Sequence, residues 1–72
     1  MIEFMVEDGN GQLVEFQGGI VNRRMVVVAP SPESKQLAQR SMNTVLAGAI
    51  MALGRQTPVL LAKLDSVVLD LR

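Results

Sequence analysis

The chain has no cysteine, histidine, tryptophan or tyrosine, and Phe4 and Phe16 are its only aromatic residues. Each absence removes a possibility. Without cysteine there is no disulfide framework, the usual staple of so short a chain, and a reducing, cytoplasmic setting is expected. Without histidine and cysteine the commonest transition-metal ligands and the usual general base are missing. A serine nucleophile would then need a lysine or carboxylate partner. Ser34-Lys35 and Ser41 instead fall where a polar helix start accounts for them. We therefore expect a non-enzyme with no cofactor and no metal.

Charge of a single sign is also lacking. Seven basic residues balance seven acidic ones, so no overall field points to nucleic acid or an anionic membrane. With no tyrosine or tryptophan to stack bases, a nucleic-acid-binding regulator is the weakest of three functional readings. The longest apolar run, Val45 to Gly54, is ten residues, against the roughly 20 that a membrane span requires. Met1-Ile2-Glu3-Phe4 offers no basic region followed by an apolar stretch, so neither a targeting segment nor a membrane partner is expected.

What is present is aliphatic. Apolar residues make up 49% of the 72, and from Thr44 to Leu71 only Arg55, Lys63, Asp65 and Asp70 carry charge. A chain this short has little interior in which to enclose that surface. Burial against other copies of itself, or against another protein, is the expected outcome. Charge is uneven along the chain. Residues 1–30 hold Glu3, Glu7, Asp8 and Glu15 against Arg23 and Arg24, and residues 31–72 hold Glu33, Asp65 and Asp70 against Lys35, Arg40, Arg55, Lys63 and Arg72.

Residues 2–7 and 13–17 alternate in the strand period, with Ile2, Phe4, Val6, Val14 and Phe16 on one face. Between them, Asp8-Gly9-Asn10-Gly11 combines two strong hairpin dipeptides. Gly18-Gly19 reads as a second reversal, followed by a longer strand from Ile20 to Ala29. Ser31-Pro32-Glu33 then supplies a cap, a residue suited to the first helical position and an acid for the positive end of the dipole. The predicted helix runs to about Leu53 with Gly54 as its terminator. One stripe of it is mostly small: Ala38, Ser41, Val45, Gly48, Ala49 and Ala52. Gly48 in mid-helix implies close approach, either by the sheet or by a partner helix.

Thr57-Pro58 repeats the cap-plus-proline signal. Leu60, Leu61, Leu64, Val67, Val68 and Leu71 share one helical face, which predicts a second helix to Leu71. The alternative is a turn at Asp65-Ser66 and a strand over residues 67–71, supported by β-propensity. The expected architecture is thus α+β in one domain over residues 1–72. A three-stranded antiparallel meander (1–29) precedes a helical part (31–72), with two helices packed on one face.

Two functional sites follow as expectations. A self-associating interaction or accessory protein, such as an inhibitor, an adaptor or a virus-like assembly component, would use three contact zones. These are Met5, Leu13, Met25 and Val27 on the outer sheet, Val45, Gly48, Ala49 and Ala52 on the helix, and Val59 and Leu69 beyond it. Alternatively, Arg23 or Arg24 with Lys35 or Arg40 would hold a small anionic ligand or nucleotide at a subunit junction. Adjacent strand residues point to opposite faces, so Arg23 and Arg24 cannot form one patch on a regular strand, and one of them needs a partner. A structural ion pair competes with a ligand there. Glu3, Glu7, Asp8 and Glu15 could stand side by side across the hairpin, as cation binding or acid–base work would need, but on a wet sheet face Glu3 and Glu15 are expected to pair with Arg23 or Arg24 across strands.

Overall fold

A computed structural model describes all 72 residues. Its elements are β1 (Ile2–Glu7), β2 (Leu13–Val21), β3 (Arg24–Ala29), α1 (Pro32–Arg40), α2 (Met42–Gln56), α3 (Pro58–Leu61) and β4 (Ser66–Leu71). The four strands form one sheet in the order β1-β2-β3-β4, with β4 parallel to β3 and the other pairs antiparallel. The architecture is α+β. Of the two endings considered for the chain, the strand is present, and the predicted helix stops after one turn at Leu61.

The first hairpin follows its turn chemistry. Glu7 pairs with Leu13, and the Asp8 carboxylate accepts from the backbone N–H groups of Asn10 (2.8 Å) and Gln12 (3.2 Å). Gly9 and Gly11 take φ of 91° and 85°, which other residues rarely adopt. The second reversal is not at Gly18-Gly19. Both glycines lie inside β2, and the chain turns at Asn22-Arg23, whose φ values of 51° and 64° suit a two-residue hairpin of the primed type. Gly18 serves close packing: a Cβ there would sit 3.1 Å from the Phe4 ring.

The observed register fixes which face β3 presents. Val21 pairs with Arg24 and Ile20 with Met25, so Met25 and Val27 share the face of Phe16 and are fully buried. Their assignment to the outer sheet is therefore corrected. The core holds Phe4, Val6, Val14, Phe16, Met25, Val27 and Ala29 from the sheet, with Leu37, Ala38, Val45, Ala49 and Leu53 from the helices. Phe4 and Phe16 are cross-strand partners whose rings stack with centroids 5.8 Å apart.

The helical cover starts as its sequence implies. Ser31 and Ser34 form a reciprocal capping box, and the buried Ser34 hydroxyl donates to the Ser31 carbonyl at 2.9 Å. The single helix to Leu53 is corrected in two respects. Ser41, at φ −141° and ψ 57°, breaks it into α1 and α2, and α2 continues through Gly54 to Gln56. The approach at Gly48 is made by the sheet, since a Cβ there would meet Val6 Cγ2 at 3.0 Å. Val45 and Ala49 from the same stripe are fully buried inside this subunit. No helix is long and apolar enough to cross a membrane.

Candidate interaction surface

Arg23 has a structural role. Its guanidinium meets the Asp65 carboxylate at 3.3 Å and donates from Nε to the Lys63 carbonyl at 3.2 Å, and its own carbonyl accepts from Asp65 N–H at 2.8 Å. These three links tie the β2–β3 turn to the entry of β4. Both partners are more than 60% exposed, so the charge component is worth only a fraction of a kcal/mol. Arg24 is exposed on the uncovered face of the sheet, in register with Val21 and Ser66. The expectation that one arginine lies on the Phe4 and Val6 face is corrected, because the turn takes Arg23 out of the strand. Glu3 and Glu15 form no ion pair with either arginine; Arg72 pairs with Asp70 at 3.1 Å.

The four candidate ligand-binding bases are not brought together. Arg23 and Arg24 sit at the β2–β3 turn, whereas Lys35 and Arg40 belong to α1, which begins beyond the opposite end of β3. Arg40 lines a polar groove of about 370 Å³ between α1 and the first hairpin loop, with Asp8, Asn10, Gln12, Glu15, Glu33 and Gln36 among its other walls. Three of those walls are acidic and Arg40 is the sole base. Asp8 is already committed to its turn. Sequence reasoning missed this groove because its two walls, residues 8–15 and 31–40, come from separate parts of the chain.

The apolar surface is better organised. Gly48, Met51, Ala52 and Arg55 flank Phe4 and Met5 on the β1 side of α2. Val45, Ala49 and Leu53 face the sheet. At 100° per residue, Leu46 and Ile50 then occupy the opposite flank, toward β3 and β4. Gly54 faces the same way, since a Cβ there would meet Leu61 of α3 at 3.1 Å. On this flank the cover is thin. Val67 shares the helix-side face with Met25 and Val27 by register, yet it is 46% exposed, and Ile50 and Leu60 are each 49% exposed. Leu69 and Leu71 are half-buried.

Of the predicted contact residues, Met25, Val27, Val45 and Ala49 are enclosed in the core and unavailable to a partner. Met5 and Leu13 are exposed on the uncovered sheet face, Val59 is 67% exposed, Leu69 lines the thinly covered flank, and Gly48 and Ala52 are half-buried beside β1. Ile50, Leu60 and Val67 lie within the apolar stretches expected to make contacts but were not among the named contact residues. Leu60 and Val67 fell on the apolar face of the predicted second helix, and the short α3 and the strand at β4 leave them open. The chain matches no protein-family model, no curated protein and no solved structure.

Proposed function

We propose that this chain is a non-enzymatic interaction protein that associates with copies of itself, in a reducing compartment such as the cytoplasm. The observation that carries the reading is the apolar surface left open on α2, α3 and β4. Val67, Ile50, Leu60 and Val59 are each about half exposed or more, and none belongs to a polar groove. Large apolar side chains left exposed on a small protein mark a contact surface. The molecule exposes 4670 Å², against about 4,400 Å² for a folded monomer of this mass.

Self-association is favoured over a small-anion site because the bases are dispersed and Arg23 is engaged with Asp65. Light scattering on material separated by size tests the proposal. Oligomers at micromolar concentration support it, and a mass of 7.8 kDa at every concentration rejects it.

A further inference from the structure

β1 and β4 are the two edges of the sheet, and they differ in how each would meet another strand. β1 carries Glu3 and Glu7, charges that discourage strand addition. β4, Ser-Val-Val-Leu-Asp-Leu, has one charge, no lysine and no proline. Its hydrogen-bonding phase is also defined. Arg72 N–H donates to the Ala29 carbonyl of β3, and Ala29 is in register with Leu71. In a parallel ladder the residues that bond to the neighbour alternate with those that do not. Val68, Asp70 and Arg72 therefore turn their backbone groups toward β3. Val67, Leu69 and Leu71 turn theirs to the free edge, and the same three carry the helix-side apolar side chains.

We infer that two copies of the chain pair their β4 strands antiparallel about a two-fold axis at Leu69, joining two four-stranded sheets into one of eight strands. This inference rests on the self-association proposed above and names its surface. With Leu69 on the axis, Val67 stands opposite the partner's Leu71, and the outward-directed backbone groups of all three residues find partners. Every helix-side position then meets an apolar residue, as a self-complementary interface requires. On the other face Arg72 stands opposite the partner's Ser66, and no two like charges stand directly opposite each other. The two Asp70 carboxylates are diagonal to each other, and each is already paired with the Arg72 of its own chain. Strand pairing over about 20 Å covers less surface than a standard interface. The exposed part of Val67 adds apolar side-chain area on the helix side.

Val67→Pro separates this mode from any other. It removes an N–H directed to the free edge and spares the ladder to β3, where proline at an edge is tolerated. The two symmetric copies lose a hydrogen bond each, so self-association measured by sedimentation should weaken about 30-fold or more, with circular dichroism unchanged. A second readout uses the unaltered chain. Amide exchange followed by NMR at a concentration where oligomers form should show Val67, Leu69 and Leu71 protected together with Val68 and Asp70. Alternating protection, with the odd-numbered amides exchanging fast in the oligomer, overturns the β4 pairing while leaving self-association intact. So does a folded Val67→Pro that associates as tightly as the parent chain. A chain that is monomeric throughout overturns both this inference and the reading on which it rests.

Discussion

On the helix side of the sheet, the β1–β2 half and the β4 margin receive very different cover from the same helical layer. Over the first half, α2 settles close enough for Gly48 to touch Val6, and Phe4, Val6, Val14 and Phe16 are all buried. Over the margin, α3 is a single turn, and Val67 keeps nearly half its surface in water although it faces the same way. The two regions have similar aliphatic content. What differs is how near a helix can approach, and Gly48 sets that distance on one side only. A sheet closed on one flank and thinly covered on the other is unfinished in a specific direction.

That contrast can be broken by substitutions of graded effect. Phe16→Ala removes a fully buried ring from the closed half and should cost about 3–5 kcal/mol, a large share of the roughly 4–11 kcal/mol expected for a chain this size. Urea denaturation should find it largely unfolded or close to it. Gly48→Leu forces a side chain against Val6 and should cost about 2 kcal/mol or more, read from the same denaturation curves. Val67→Ala, on the open margin, should lower the chain's folding stability by under about 1 kcal/mol, because much of the side chain is already wet. A Val67→Ala cost as large as that of Phe16→Ala would erase the distinction between the two regions. Asp65→Asn, which weakens an exposed ion pair, should shift stability by only about 0.5 kcal/mol in a thermal melt.

The closed half was largely legible in the sequence because its signals are local. Asp8-Gly9-Asn10-Gly11 announces its hairpin, strand alternation places Phe4, Val6, Val14 and Phe16 together, and Ser31-Pro32 starts the helix where it begins. The second turn was not legible. Asn22-Arg23 puts an arginine at positive φ, an uncommon use held by its links to Asp65 and Lys63, while Gly18-Gly19 mimicked a turn. A two-residue reversal at either place leaves Met25 and Val27 on the Phe16 face, so their outer-face assignment failed on the alternation itself and not on the turn. The break at Ser41 carries no glycine or proline to mark it. At the margin, Leu64, Val67, Val68 and Leu71 satisfy a helical arc, whereas Val67, Leu69 and Leu71 equally satisfy a strand. Pairing with β3 decides between them, and a contact with residues about 40 positions earlier is invisible to a local pattern.

For the candidate site, sequence reasoning pointed to the aliphatic C-terminal region, naming Val59 and Leu69, but not to the apolar side chains left open on α2, α3 and β4. That exposure depends on which residues the tertiary fold leaves uncovered. The arginine pair was likewise noticed for a sound reason, the cost of an unpartnered charge, and resolved into an intrachain ion pair.

The most direct test of the account compares the two sheet edges in solution as the chain concentration is raised. Amide exchange at the outward-directed residues of β4, Val67, Leu69 and Leu71, should slow with concentration, while the free-edge amides of β1 stay unchanged. Exchange that is independent of concentration at both edges, or slowed at β1 instead, would contradict the claim that the thinly covered flank is where this protein associates.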